Sequence, residues 1–390
     1  MRLLNFNRDK LDQLTQLLQV ENFPITNGIE FNEADTIKGA FLEIQANYFI
    51  NTNSEIVKQI PPFEWHPYLE LSNLENPNII IGTFPPSSYL KAQYHTNERI
   101  LNILNELTIE KRPSIDFFYG NLGTFWKILG IEIGVQQNRE DKKEIVQNFL
   151  IDNRIGITDV ITSCQRDNIK SPSDKDLLNV IINIGLIDYL TSSKKPKRLI
   201  FTSGDWEVGV NNPNTGKVRS KYSAFSLFLE AIQMLGGKIS FKVGNEFVIA
   251  NDLKSAKIIK KLGQNILITF KWKIGENSSL EHLAVLMPSP SAITAITFMN
   301  MFDFKKWLRW RNEEAFQTLK TLENEINSLS KEQKKKSDKK LKLNTRLRVL
   351  GFLNENEDIE YLFKKEMYRK ALLCEHGIND LAAIQNIEMN

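Results

Sequence analysis

Four short apolar runs limit what this chain can fold into more than any other feature. They are "NIIIGTFPP" (78–86), "IGITDVITS" (155–163), "RLIFTSGD" (198–205) and "LAVLMPSP" (283–290), and each ends in glycine, proline or hydroxyl residues. Proline has no N–H for a ladder, so a strand stops there. Runs this short and this rich in β-branched residues read as strands buried on both faces. Between them lie helix-spaced segments, "TFWKILG", "SDKDLLNVIINIGLIDYL" and "SAFSLFLEAIQML". The alternation predicts an α/β fold with a central four-stranded parallel sheet, helices against both of its faces, and ligands bound beyond the carboxyl ends of the strands. The elbows at 82–88, 163–171, 203–206 and 287–291 then share one rim.

The remainder divides around this unit. Residues 1–60 carry helical spacing in "LDQLTQLLQV" and "IKGAFLEIQANYFI" and read as a helical N-terminal extension. Residues 61–305 hold the strands, and "GNEFVIAN" (244–251) and "ILITFKWKI" (266–274) look like an inserted antiparallel pair. Residues 306–390 read as a helical, partly basic region. It includes "KEQKKKSDKKLKLNTRLR" (331–348), with nine Lys/Arg against two acids, and a last helix, "DIEYLFKKEMYRKALL". Net charge is only +3, so any attraction for nucleic acid must be local. Two cysteines are too few for a disulfide framework or a four-thiolate metal site, the opening "MRLLNFNRDKLDQL" lacks the apolar core of a secretory signal, and no apolar stretch is long enough to span a bilayer. The expected location is the cytoplasm.

Several loops carry chemistry. "GTFPPSS" (82–88) combines a glycine that permits close backbone approach with two stiffening prolines. In "DFFYGNLGTFW" (116–126), aromatic residues are interrupted by Gly120, Asn121 and Gly123, a pattern that makes either a stacking slot for a planar base or an ordinary aromatic core. Phe125 and Trp126 fit the core better, while Phe118 and Tyr119 fit either. In "TSCQRDNIKSPSD" (162–174), Arg166 is a phosphate candidate, and Ser171 reads first as a helix cap. Asp205 in "TSGDW" is a helix cap, a catalytic acid or a partner for a basic group. The chain has no GxxxxGK[ST], no GxGxxG after a strand, no Gly-x-Ser-x-Gly, and no metal-ligand spacing among His66, His95, His282 and His376.

Taken in order, "IGTFPP", "FFYGNLGTFW", "ITDVITSCQRDNIKSPSD", "LIFTSG" and "MPSPS", with "FEWHP" just upstream, resemble the uracil-DNA glycosylase superfamily. The motif style is nearest to its mismatch-specific and hypoxanthine-DNA glycosylase branches, and the resemblance covers roughly 60–305. It implies a three-layer α/β/α sandwich and a DNA glycosylase that hydrolyses the N-glycosidic bond of a damaged or modified base flipped out of DNA, with no metal or cofactor. Repair and defence against modified viral DNA are both compatible with it. The implied catalytic candidates are Asn121 first, then Asp116 and Asp205. Phe84 stands where many relatives place a water-positioning Asp or Asn, and Met287 where some have His. The implied base pocket is Gly82, Thr83, Phe84, Pro85, Phe118 and Tyr119. The implied DNA clamp is Ser87, Arg166, Pro288, Ser289, Pro290 and Ser291. Thirty residues separate Pro86 from Phe117, a long connection that places an added helix at the pocket mouth. Outside the resemblance, Lys334, Lys335 and Lys336 are candidates for non-specific phosphate contact or for a solvated charged helix. Two other readings stay open: a catalytically inactive DNA-binding module on the same fold, and a protein that binds a partner through 306–390.

Overall fold

The computed structural model describes residues 64–86, 115, 117–120, 125–131, 138–166, 177–203, 210–211, 218–219, 223–250, 265–290, 298, 301–329 and 339–389. Its strands are β1 (Glu64–Trp65), β2 (Asn78–Gly82), β3 (Ile155–Asp159), β4 (Ile161–Arg166), β5 (Leu177–Ile182), β6 (Arg198–Phe201), β7 (Val210–Asn211), β8 (Val218–Arg219), β9 (Lys238–Val243), β10 (Glu246–Ala250), β11 (Leu267–Ile274), β12 (Asn277–Ser278) and β13 (His282–Leu286). Its helices are α1 (Phe125–Ile128), α2 (Arg139–Asp152), α3 (Ile184–Ser192), α4 (Ala224–Met234), α5 (Phe302–Arg311), α6 (Glu313–Ser328), α7 (Lys339–Val349), α8 (Ile359–Leu372) and α9 (Gly377–Gln385). None is long and apolar enough to cross a membrane.

The four predicted runs form adjacent parallel strands in the order β3-β2-β6-β13. The expectation of a four-stranded sheet needs correction, because among the described residues the sheet has eight strands. Beyond β13 it continues antiparallel through β11, β9 and β10, and β12 pairs with β11. The expected pairing of 244–251 with 266–274 is also corrected, since β9 lies between them. The segment "KISFKV" alternates, burying Ile239 and Phe241 and exposing Lys238 and Lys242, which suits a strand with one covered face. Gly244, at φ 63°, then turns β9 into β10.

Two further boundaries differ from expectation. "SDKDLLNVIINIGLIDYL" was expected as one helix, but Leu177–Ile182 is β5 and the helix starts at Ile184. Val180, Ile181 and Ile182 favour the extended chain, and the Asn183 side chain caps α3 by accepting from the Leu186 N–H. The run 155–163 breaks at Val160. After it, β4 joins β1 and β5 in a separate three-stranded antiparallel sheet.

Successive residues of the parallel strands enter opposite cores, as a period of two requires. Ile79, Ile81, Leu199, Phe201, Ala284 and Leu286 pack with α3, α4 and the inner face of the antiparallel strands. Ile80, Ile157, Ile200 and Val285 pack with α1, α2 and the C-terminal helices. A fully buried Ile or Phe contributes about 1.5–3 kcal/mol over an exposed one, so these strands anchor the fold. The helices begin where their caps allow. Ser223 and Ser226 form a reciprocal capping box on α4, and Asn138, Asn312 and Asp358 cap α2, α6 and α8.

Two outcomes follow from this packing. A Cβ on Gly156, in β3, would stand 2.0 Å from the carbonyl oxygen of Asn73, which is backbone and cannot swing away. Gly156→Ala should therefore destabilise the protein by roughly 2–3 kcal/mol in a denaturant titration, against the usual gain from replacing glycine. His282, at the start of β13, is buried, stacks on Trp272 with ring centroids 5.2 Å apart and accepts the Lys197 N–H through Nδ1. Burial pushes its pKa down to about 4, against a smaller upward pull from the Leu190 carbonyl. The unfolded chain then binds a proton that the folded one refuses, so stability is full above about pH 6.5 and falls as pH drops toward 4. The loss from this group is about 3 kcal/mol, and urea melts of the wild type and His282→Phe between pH 7 and 4 should show a shallower decline in the variant.

Candidate active site

The parallel register brings the strand ends level. Gly82 is paired with Asp159, Ile81 with Phe201, and Phe201 with Leu286. The ladder then runs one step further before the loops begin. Val160 N–H donates to the Gly82 carbonyl, Ile161 to Thr83, Thr202 to Ile81 and Met287 to Phe201. Residues at this rim are thus held by backbone bonds on the parallel sheet itself.

The chemistry at the rim centres on Asp159, which ends β3. It is only 6% exposed, and its Oδ2 lies 2.8 Å from His66 Nε2. His66 follows β1, and its own N–H donates to the Thr162 carbonyl, which fixes the ring's base against β4. The backbone N–H of Tyr68 donates to Nδ1 at 3.1 Å. A nitrogen that accepts carries no proton, so a neutral ring holds its proton on Nε2 and donates it to Asp159. Three aromatic rings enclose the imidazole: Tyr68 at 6.0 Å, Phe84 at 5.6 Å and Phe118 at 5.1 Å between centroids.

The second carboxylate oxygen, Oδ1, is buried and accepts no hydrogen bond among the described residues. It converges with the Tyr119 hydroxyl over Gly82. A Cβ on residue 82 would lie 2.2 Å from Asp159 Oδ1 and 2.4 Å from Tyr119 Oη. The glycine of "IGTFPP" is therefore required for these two side chains to meet over the backbone. Tyr119 sits at φ 49°, which a bulky side chain rarely adopts. Its hydroxyl is 2.7 Å from Thr202 Oγ1, which in turn donates to the Ile81 carbonyl at 3.4 Å. Either hydroxyl can be the donor in the first of these bonds.

This arrangement holds one carboxylate oxygen rigidly and presents the other as an acceptor in a poorly solvated place. Such a group can take a proton from a water or face a developing positive charge. Among the described residues, no group of three or more His, Cys, Asp or Glu side chains is placed to hold a metal ion.

The expected site residues divide into three sets. Gly82, Thr83, Phe84, Pro85, Phe118 and Tyr119 do come together at the rim, as do Pro288, Ser289 and Pro290 at the end of β13. Phe118 and Phe84 are spent on His66, however, and Phe117, Phe125 and Trp126 are core, with Trp126 Nε1 bonded to the Phe118 carbonyl. Arg166 ends β4, in register with Leu177. Asn121, Asp116, Asp205, Ser87, Ser291, Lys334, Lys335 and Lys336 lie outside the described residues. Reading motif by motif missed His66, Asp159 and Thr202 as a group. The available signal was a polar pair, Thr158 and Asp159, closing an otherwise apolar strand, together with a histidine in "FEWHP".

Removing His66 leaves a buried carboxylate without its donor, and removing Asp159 leaves the imidazole N–H without its acceptor. A double-mutant cycle on His66→Ala and Asp159→Ala, read by denaturant melts, should give a coupling of about 2 kcal/mol. Additivity of the two single changes would show that the pair is not a unit. The chain matches no family model, no curated protein and no solved structure, so the site stands on its own geometry.

Proposed function

We propose that this chain is a DNA glycosylase acting on a damaged or modified base, with Asp159 as its catalytic carboxylate. The observation that carries the reading is the buried Asp159 side chain at the carboxyl ends of the parallel strands, with Oδ2 bonded to His66 and Oδ1 accepting no hydrogen bond among the described residues. The resemblance of the ordered loops to the uracil-DNA glycosylase superfamily supplies the reaction class. In this reading the parallel strands are the centre of a three-layer α/β/α sandwich working in the cytoplasm, and the two apolar cores on opposite faces of the sheet support it.

The target nucleotide leaves the stack at a cost of a few kcal/mol and enters the rim. The bond from C1′ to the base nitrogen breaks, and its electron pair departs with the base, which is then protonated. The sugar passes through an oxocarbenium-like state that the Asp159 carboxylate stabilises. A water oxygen bonds to C1′ and gives one proton to Oδ1, which passes it to solvent, while the departed base takes one proton from solvent, so the carboxylate is regenerated. His66 keeps the carboxylate oriented through the bond at 2.8 Å between its Nε2 and Oδ2.

Duplexes carrying uracil, hypoxanthine, alkylated or glycosylated bases test the proposal. The wild type should leave abasic sites in at least one of them. Asp159→Asn should slow that release by about a hundredfold or more while duplex binding is kept. Binding without release from any duplex would favour the inactive DNA-binding module, and full activity in Asp159→Asn would move the catalytic group elsewhere.

A further inference from the structure

We propose that Tyr368, on α8, is a positioning residue for the strand-end loop 287–290, so that the C-terminal helices form part of the site. Its role in gripping DNA rests on the glycosylase reading. The hold on the loop rests on geometry alone.

Loop 287–290 has few backbone donors of its own. Pro288 and Pro290 have no N–H, and the last ladder bond on this strand is Met287 N–H to the Phe201 carbonyl. The carbonyl of Pro288 finds its donor 80 residues away, where the Tyr368 hydroxyl lies 2.9 Å from it. Tyr368 is fully buried, and burial raises its pKa well above that of an ordinary phenol, so it remains a donor at any working pH. Its ring also meets Phe125 edge-on at 5.5 Å, and Phe125 packs on the Tyr119 ring at 4.2 Å. One side chain therefore touches the β13 elbow directly and the Tyr119–Thr202 pair through a single intermediate.

The helix beneath it is firmly mounted. The Ala371 carbonyl accepts from Arg198 Nη1 at 3.1 Å, so α8 is tied to the opposite end of β6. Phe363 packs among Phe298, Phe304 and Trp307, and Lys370 pairs with Asp380 of α9. A donor on such a mount has little freedom, which suits a loop in which two of four residues are prolines.

The test compares full-length Tyr368→Phe, which keeps the ring and removes only the hydroxyl, with Ile384→Val, a packing change in α9 remote from the loop. Hydrogen exchange at the Met287 and Ser289 amides should rise about tenfold in Tyr368→Phe and stay unchanged in Ile384→Val. On the duplex that the wild type cleaves, KM should rise about tenfold with kcat within about twofold, because a gripping loop contributes to binding more than to the chemical step. Equal exchange in the two variants overturns the positioning role. Faster exchange with an unchanged KM overturns the loop's part in the site. If the wild type releases no base from any duplex, the glycosylase reading fails, and the exchange result still decides whether Tyr368 holds the loop.

Discussion

The in-register parallel pairing of β3, β2, β6 and β13 is the constraint on which the rest depends. Ile79, Ile80 and Ile81 are all fully buried, as are Leu199, Ile200 and Phe201, so β2 and β6 offer no polar position along their centres. Polar chemistry is driven to the ends, where Asp159, Thr83 and Thr202 collect at one level. The ladder bonds that run one residue past each strand end carry the rigidity of the sheet into that rim. A site built there inherits orientation from backbone hydrogen bonds and does not depend on loop side chains to supply it.

Local costs accumulate at one spot on this rim. A buried carboxylate oxygen without a partner costs about 1–3 kcal/mol, and a left-handed non-glycine residue is of similar order. Asp159 and Tyr119 carry these two penalties and meet over Gly82, where no side chain other than hydrogen fits. The His66 donor and the Tyr119–Thr202–Ile81 chain offset part of the cost and fix both groups in place. An arrangement kept only for stability would gain by closing the Oδ1 valence with a hydroxyl or an amide. Among the described residues the Oδ1 valence stays open, and this is the ground for placing the proposed chemistry at this spot, on the same logic by which strain points to function.

How much of this could be read in advance varied with the physics of each segment. The four parallel strands were legible because a continuous β-branched run closed by glycine or proline has few other solutions. Leu177–Ile182 was not, because "LLNVII" meets helical spacing as well as it meets a strand, and only the cap at Asn183 separates them. β9 was hidden by its lysines and its alternation, which give no continuous apolar run, and the antiparallel half of the sheet was misjoined without it. Half of the candidate site was legible as loops: the glycine and prolines after β2, the aromatics before α1, and the double proline after β13. The dyad itself was not, since His66 and Asp159 are 93 residues apart and meet only through the pairing of β1 with β4 and of β2 with β3.

Part of the basic stretch has intramolecular partners. In the described part of it, α7, three cations make intramolecular bonds, while Lys342 is exposed. Lys340 pairs with Asp358 and Glu360, Arg346 makes two bonds to Glu325, and Arg348 donates to the carbonyls of Asn354 and Glu357. Glu360 also takes Lys364, both almost wholly buried, and burial lowers the lysine's pKa against the pull of that carboxylate. Buried pairs of this kind add little net stability, yet breaking one is costly, so they fix an arrangement more than they strengthen it. What they fix is the first turn of α8, whose cap Asp358 and neighbour Glu360 belong to the same network. Lys340 on α7 therefore helps to seat the helix that carries Tyr368, while Arg346 ties α7 to α6 through Glu325.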